Sequence, residues 1–450
     1  MNYPGKLLQT KTLFAFALAS VLIGSLVQQY LGRGKLDEPN CDFYVYYFAA
    51  QIVHDNPHAN LYDGTTSKSP EMLNAAASSA LSIYATRAGI GDVMYYLYPP
   101  LLADLLAPIS RIPLNLAATL WRTLNLALVL ASVILLANML RIPILSFEFV
   151  ALLLAGYSFF PIHEALMTGQ IALVLLALWT AGIAAYRDGR IVLSAAIFAL
   201  ATALKVTPIL LLPLFIIWKD RRWIVSYLSA SLGLLSAMIA INGGQAIRIY
   251  SSVLSAMSGG IPSPINKTLG SLVSWVYYGR IFTTYSIQEI IANQPSYLLI
   301  AARVASGAFY LFCLFLVWRS RRIGRISRAA AIAVFSLVTL CVSPVSWRHG
   351  YSVAFIALAY YWVMALRNPR TRTLHAVLLT LTTFTTGCIF VEAVVDAAVR
   401  YLLPQICIIF LAALWVAFSM LFSVSVLYHV SEDSQISGKG KDIGGEVYGL

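Results

Sequence analysis

The chain has 450 residues, of which 59% are hydrophobic and only 11% are charged. Soluble globular domains carry about 25% charged residues, so this composition excludes a soluble protein and indicates a polytopic membrane protein. The formal net charge is +12, which in a soluble protein would suggest a nucleic-acid partner. Here the Lys and Arg residues form short clusters between apolar segments, as in cytoplasmic loops of membrane proteins. We therefore interpret the charge as a determinant of topology and expect no nucleic-acid partner.

The first apolar segment, residues 7–30, predicts an uncleaved membrane span. Lys6 and Lys11 lie near its start, and no small-residue cleavage site follows it. Since lysines are retained in the cytoplasm, this span would lead to the outer face. The next stretch, residues 32–114, is then predicted as a large outer loop.

Three short juxtamembrane helices are predicted within this loop. The first runs over residues 42–54 and is ended by Asn56-Pro57. The second covers the Ala-rich residues 71–88 along the membrane surface. The third covers residues 98–110 and is either juxtamembrane or re-entrant, because its apolar run is too short to cross the bilayer and a span needs about 20 residues.

The basic clusters also predict how the remaining apolar segments cross the membrane. An all-α bundle of about twelve spans places every basic cluster and both chain ends in the cytoplasm, with outer connections at 162–170, 242–296 and 344–349. Residues 1–430 would form this single transmembrane domain, and the Gly/Ser/Lys-rich residues 431–450 a disordered cytoplasmic tail. The predicted spans after the outer loop are 115–140, 144–161, 171–186, 191–204, 206–218, 223–241, 297–318, 328–343, 350–366, 373–391 and 401–428.

Asp42 is the first candidate for chemistry, because it follows the first span where the chain leaves the bilayer. A carboxylate there could act as general base on an acceptor hydroxyl or bind a cation. It could equally be a helix cap, with Tyr46 or Tyr47 packing below it. Position alone leaves both interpretations open.

Lys205 lies within an apolar hairpin that Pro208 interrupts. Two half-helices meeting at Lys205 would put its ammonium near the outer surface, as in broken helices that line cavities. An unpaired ammonium in hydrocarbon costs at least about 2.5–3.5 kcal/mol, which favours a counter-charge role for an anion such as a lipid phosphate. The alternative is a lysine that snorkels to the interface.

Further candidates lie on the outer connections. Arg348 and His349 could hold a phosphate, and Trp347 beside them could stack on a sugar or anchor the interface. Asn266 lies in a Pro/Gly-rich segment suited to cover a site. His163-Glu164 would need a third ligand to bind a metal, so a hydrogen-bonded structural pair is at least as good an interpretation.

The sequence contains no Walker A loop, dinucleotide fingerprint or metal-ligand spacing among its cysteines and histidines. We therefore expect neither a metal nor a cofactor. A transporter would show two related halves with paired broken helices, whereas this sequence indicates one broken pair and a long outer loop. That pattern favours an enzyme, with a polyprenyl-phosphate or glycolipid transporter as the alternative.

An ordered series of short motifs, spanning about residues 40 to 350, resembles glycosyltransferase family 87. The motifs are Asp42-Phe43-x-x-Tyr46-Tyr47-x-Ala49-Ala50, Asn60-Leu61-Tyr62-Asp63, Tyr98-Pro99-Pro100-Leu101, Gly169-Gln170, Leu204-Lys205-x-x-Pro208 and Arg221-Arg222-Trp223. The resemblance implies a membrane-embedded GT-C fold whose first outer loop carries two juxtamembrane helices. It also implies a polyprenyl-phosphate-linked sugar donor, and Asp42 as the catalytic base.

The resemblance thus predicts an inverting hexosyltransferase, with mannose as the sugar by analogy. The acceptor would be a glycolipid or glycan of the cell envelope, modified at the periplasmic or exterior face of the plasma membrane. Charge and position, rather than the motifs, assign Lys205, Arg348 and His349 to the donor phosphate. Tyr46, Gln170 and Asn266 complete the predicted substrate-binding set.

Overall fold

The computed structural model describes residues 41–63, 78–91, 93–144, 146–257, 266, 268–278, 295–322 and 327–367. Within these ranges the regular secondary structure is helical and contains no strand. Asn266 and Trp347 form an isolated antiparallel bridge. The spans predicted at 7–30, 373–391 and 401–428, and the predicted tail, lie outside the described residues.

The described helices follow the predicted apolar segments closely. They are α1 (Cys41–Asp55), α2 (Ala80–Arg87), α3 (Pro100–Leu106), α4 (Leu114–Met139), α5 (Phe147–Ser158), α6 (Phe160–Thr168), α7 (Ala172–Arg187), α8 (Ile191–Leu204), α9 (Leu212–Trp218), α10 (Arg221–Met257), α11 (Leu269–Tyr278), α12 (Ser296–Arg322), α13 (Arg328–Val342) and α14 (Ala354–Arg367). Short 3-10 segments cover Ile109–Arg111, Thr207–Leu211 and Arg348–Val353.

Three of these helices are long and apolar enough to cross a membrane: Leu114–Met139, Arg221–Ser255 and Ser296–Arg319. A fourth candidate forms if α5 and α6, which are bent by 52°, count as one broken span. The protein is therefore an all-α membrane protein. The total of about twelve spans and the division into one domain plus a tail stay predictions.

Two connections expected from the sequence are helical instead. The expected connection 162–170 lies mostly within α6, which starts with Pro161 in its first turn, where proline is favoured. The expected connection 242–296 begins as a continuation of α10 beyond Gly243, whose φ of 78° and ψ of 158° break the helix. Glycine alone adopts that conformation readily, so the chain turns at Gly243 and resumes its helix.

Helix α1 forms where the sequence predicts the first outer-loop helix, and it is buried on almost all sides. It packs against α2, α3 and the 3-10 segment after α3. A hydrogen bond holds α1 in this position, because the Tyr47 hydroxyl donates to the Ile112 carbonyl at 2.6 Å. These contacts cover the apolar side chains of α1.

The other side of α1 contacts the bundle at Gly169, the residue between α6 and α7. Gly169 has a φ of 73°, and its carbonyl accepts a 2.7 Å hydrogen bond from the Trp121 indole N–H. The Phe43 ring of α1 stacks on Trp121, with ring centroids 5.6 Å apart. A Cβ added at Gly169 would lie 2.7 Å from the Phe43 Cβ. This close approach fixes the position of the first turn of α1.

We expect Gly169→Ala to lower the free energy of unfolding by about 2–4 kcal/mol, combining left-handed strain with overpacking against Phe43. Gly189→Ala is the matched control, because Gly189 has a φ of 74° but nothing within 4 Å of an added Cβ. In the control variant the free energy of unfolding should fall by only about 1–2 kcal/mol, from the left-handed strain. Thermal unfolding of the detergent-purified protein measures both, and equal losses would contradict the close approach.

Candidate active site

Lys205 lies at a break between two helices, as the sequence predicts. It is the first residue after α8, and its φ of −154° and ψ of 119° are extended. The helix cannot continue regularly, because Pro208 has no N–H to donate to the Leu204 carbonyl. The chain instead forms the 3-10 segment Thr207–Leu211 and then α9. The break leaves Lys205 outside the regular helices, with its side chain half-buried.

Asp42 lies in the first turn of α1 and is half-buried. Its carboxylate acts electrostatically on the ammonium of Lys205, which is also half-buried. The α1 N-terminus also favours a negative charge at this position. The helix-terminus role considered from the sequence and a role in a charged site are therefore compatible.

A buried hydrogen-bond network begins at Tyr46, one helical turn after Asp42 on α1. The Oε1 atom of Gln170 accepts from the Tyr46 hydroxyl at 2.8 Å and from the Tyr98 hydroxyl at 3.1 Å. The network joins three of the motifs quoted above, which lie far apart in the sequence. It positions α1, while contact of Tyr46 or Gln170 with substrate stays a prediction.

Burial raises the pKa of both tyrosines, and the nearby Asp42 charge raises it further. Both hydroxyls are therefore protonated at neutral pH and act as hydrogen-bond donors rather than as bases. Among the groups at this end of α1, that leaves the Asp42 carboxylate as the candidate proton acceptor.

The turn before α14 is held in place by Asn266. Its Oδ1 accepts from the Ser346 N–H at 2.8 Å, and its Nδ2 donates to the Pro344 carbonyl at 3.1 Å. The Asn266 side chain is fully buried. These hydrogen bonds give Asn266 a positioning geometry, and its predicted contact with substrate stays a prediction.

Lys205, Ser346 and His349 meet around Gly350. A Cβ built at Gly350 would lie 3.4 Å from Ser346 Oγ and 3.9 Å from Lys205 Nζ, which places both groups within ordinary contact distance of this position. Ser346 Oγ and His349 Nε2 are buried, and neither forms a hydrogen bond with any residue that the structure describes. Buried polar atoms are normally paired, so two unused ones beside an ammonium indicate a ligand site. The charge favours an anionic ligand.

His349 is close to two cations. Burial, followed by the charges of Lys205 and Arg348, holds the pKa of the His349 imidazole well below its usual 6.5. The ring is therefore neutral at physiological pH. As a neutral group it can donate one ring N–H to an anion without adding charge.

Arg348 has a carboxylate partner that sequence reasoning missed. Its guanidinium lies 2.7 Å from Glu164 Oε1 and 5.3 Å from the centroid of the Phe160 ring. Glu164 therefore pairs with Arg348, rather than with His163 as considered from the sequence. This ion pair ties the turn before α14 to α6 and compensates part of the Arg348 charge. Direct contact of Arg348 with a phosphate stays a prediction.

Ser346, Gly350 and Asp104 were not assigned from the sequence. Ser346 lies within the connection 344–349, and Gly350 follows it directly. In the sequence, the one sign of a role for them was their position beside the candidates Arg348 and His349. In the sequence, Asp104 is an acidic residue within the apolar run of the predicted helix 98–110. Its Oδ2 accepts a 2.7 Å hydrogen bond from Asn242 at the break in α10.

Comparison with known proteins identifies the family. A family model described as glycosyltransferase family 87 matches residues 96–344, a little more than half of the chain. The chain belongs to glycosyltransferase family 87. The match includes Tyr98, Gln170 and Lys205, whereas Asp42 and His349 lie outside it. No curated protein matches the sequence.

Membership makes this protein a membrane glycosyltransferase, which uses a sugar donor and an acceptor. It favours the enzyme over the transporter considered from the sequence. Across the described ranges, no group of three or more His, Cys, Asp or Glu side chains could hold a metal ion. The expectation that no metal takes part stays a prediction.

The lowered pKa of His349 predicts a pH-dependent stability. Between pH 6.5 and the lowered pKa, the unfolded chain binds a proton that the native state does not, so stability falls as pH falls. The slope contributed by one histidine is at most about 1.4 kcal/mol per pH unit. His349→Gln should therefore lose less stability than the wild type between pH 7.5 and pH 5.5, measured by thermal unfolding. His54→Gln, at an exposed position, is the control, and parallel profiles for His349→Gln and the wild type would refute the assignment.

Proposed function

We propose that this glycosyltransferase transfers a hexose from a polyprenyl-phosphate-linked donor to a hydroxyl of a cell-envelope glycolipid or glycan. The sugar is mannose by family analogy. One observation carries the proposal: the Asp42 carboxylate acts electrostatically on the Lys205 ammonium, which lies with Ser346 beside Gly350, next to His349. An acid close to a candidate anion-binding group of side chains supplies the two functions that inverting transfer from a phosphate requires.

The anion is the donor phosphate in this proposal. Lys205 supplies the charge, while the Ser346 hydroxyl and the His349 ring supply hydrogen bonds without adding charge. A lipid-linked phosphate suits this position because apolar side chains flank the helix break. Ile209, directly after the break, is 44% exposed, and Ile216 on α9 is 55% exposed. A polyprenyl chain could lie along this surface with its phosphate at Lys205.

The reaction then proceeds by a single displacement. An acceptor hydroxyl attacks the anomeric carbon of the donor sugar, and Asp42 takes the hydroxyl proton. The bond from the anomeric carbon to the phosphate oxygen breaks, and the lipid phosphate leaves with the electron pair. Lys205 stabilises the negative charge that develops on that oxygen. Attack opposite the leaving group inverts the anomeric configuration.

The orientation of the site follows from the basic loops. Arg190 precedes α8 and Lys205 follows it. A 14-residue helix is about 20 Å long, so Arg190 and Lys205 lie about that far apart, at opposite ends of α8. If the basic loop at residues 187–190 lies in the cytoplasm, Lys205 and Asp42 lie on the exterior or periplasmic side of the plasma membrane.

The direct test uses polyprenyl-phosphomannose with a labelled sugar, and membrane lipids extracted from cells that lack the gene. We expect the purified wild-type protein to label a lipid in this extract. Asp42→Asn should lower kcat by about 100-fold or more, with donor KM and thermal stability unchanged. Asp55→Asn is the matched control, because Asp55 is an exposed acid at the other end of α1 that accepts a 2.6 Å hydrogen bond from Tyr84.

A second arm of the same experiment uses Lys205→Met, which should raise donor KM without abolishing folding. Unchanged turnover in Asp42→Asn would remove the assigned base. If the wild-type protein moved the intact donor across vesicle membranes and labelled no lipid, the transporter would be correct. Parallel reactions with polyprenyl-phosphate-linked glucose and arabinose decide the sugar.

A further inference from the structure

The ion pair between Glu164 and Arg348 sets two opposite charges next to the proposed phosphate position. Glu164 Oε1 lies 2.7 Å from the Arg348 guanidinium, and the two side chains are 11% and 29% exposed. A guanidinium is permanently charged, and a carboxylate at this distance forms a charge-assisted hydrogen bond with it. The positive charge of Arg348 is therefore balanced at its own position, where contact with water is limited.

The turn that carries Arg348 also meets the groups assigned to the phosphate. Ser346 Oγ and Lys205 Nζ both lie within contact distance of the Gly350 position. Gly350 follows Arg348 by two residues in the same 3-10 segment. The attraction between unit charges in partly buried surroundings extends over such short separations. Without Glu164, the charge of Arg348 would therefore act on any anion bound at Lys205.

The charges of the side chains described at this position sum to zero. Lys205 supplies one positive charge, and the Asp42 carboxylate opposes it. Arg348 and Glu164 cancel in the same way, and the neutral His349 ring adds nothing. A second negative charge on a ligand would therefore find no further counter-charge among these five side chains. Its desolvation would still have to be overcome, and this cost rises with charge.

Phosphate groups on lipids differ in charge. A phosphate that links a sugar to a lipid is a diester and carries one negative charge. A lipid phosphate monoester carries nearly two at pH 8, because its second pKa is about 6, and a lipid diphosphate carries more. The balance of charge at Lys205 suits the diester.

We propose that Glu164 is a specificity-determining residue: by neutralising Arg348, it makes the phosphate position prefer a singly charged phosphodiester over a phosphate monoester or diphosphate of the same lipid. The inference rests on the proposed function, because it assumes that the donor phosphate lies at Lys205. Glu164 acts through Arg348 and does not contact the substrate, so it is a positioning residue for charge.

The test compares two probes that share a farnesyl chain: methyl farnesyl phosphate, with one negative charge, and farnesyl phosphate, with nearly two at pH 8. Isothermal titration calorimetry measures their binding to the full chain in detergent at pH 8. The wild-type protein should bind the methyl ester more tightly. Glu164→Gln should shift the ratio of the two dissociation constants by about tenfold towards farnesyl phosphate, because the Arg348 charge is then uncompensated.

Three further variants separate charge from structure. Arg348→Gln leaves the Glu164 charge uncompensated and should shift the ratio by about tenfold in the opposite direction. The double variant Glu164→Gln/Arg348→Gln removes both charges and should return the ratio to its wild-type value. Glu148→Gln is the matched control, because Glu148 is an exposed acid in the first turn of α5. It should leave the ratio unchanged.

The ratio decides the inference. An ion pair that only holds the turn would weaken the binding of both probes equally when it is broken. An unchanged ratio in the single variants would therefore overturn the inference and leave the proposed function standing, as would a wild-type preference for farnesyl phosphate. If Glu164→Gln fails to fold, Arg348→Gln and the double variant decide in the same way. If the wild-type protein binds neither probe, the phosphate position is wrong, and the proposed function is overturned together with the inference.

Discussion

The attraction between the Asp42 carboxylate and the Lys205 ammonium is the interaction on which the site depends. Both side chains are half-buried, so each charge has lost part of its contact with water. Each therefore needs the other, or a ligand that replaces it. A charge pair of this kind stabilises little by itself, because desolvation offsets much of the attraction. In the proposed reaction, its role is to place one charge near the reacting sugar and the opposite charge near the donor phosphate.

Both members of the pair are positioned by backbone features. Lys205 is in place because Pro208 interrupts the helix after α8. Asp42 is in place because α1 closely approaches Gly169, and because Tyr46 and Tyr98 share the oxygen of Gln170. The turn that carries Ser346 and His349 is held by Asn266 and by the ion pair between Arg348 and Glu164. The side chains that face the ligand site are thus supported by a surrounding set of buried polar contacts.

Much of the fold could be predicted from the sequence, because hydropathy reports directly on helices that lie in a membrane. The helix α1 and the break at Lys205 are confirmed, while the position of α1 in an outer loop stays a prediction. The prediction of 162–170 as a connection was wrong, because Pro161 starts a helix as readily as it ends one. The extension of α10 was missed, because Gly243 changes the direction of the chain without ending the helix.

The site was harder to predict, because its contacts join residues far apart in the chain. The motifs that resemble the family correctly indicated that residues near 42, 98, 170 and 205 belong together. No pattern in one sequence could show that Glu164 pairs with Arg348, or that both side-chain hydrogen bonds of Asn266 hold the backbone of a turn. Ser346 becomes a candidate only when the structure shows that its hydroxyl oxygen is buried and forms no hydrogen bond with any described residue.

The most direct test of the central claim is a structure of the full chain in lipid nanodiscs with polyprenyl phosphate bound. The account predicts a phosphate oxygen within about 3 Å of Lys205 Nζ, next to Ser346 and His349, with Asp42 facing the side from which an acceptor would attack. A phosphate bound elsewhere, with Lys205 still directed only at Asp42, would contradict it.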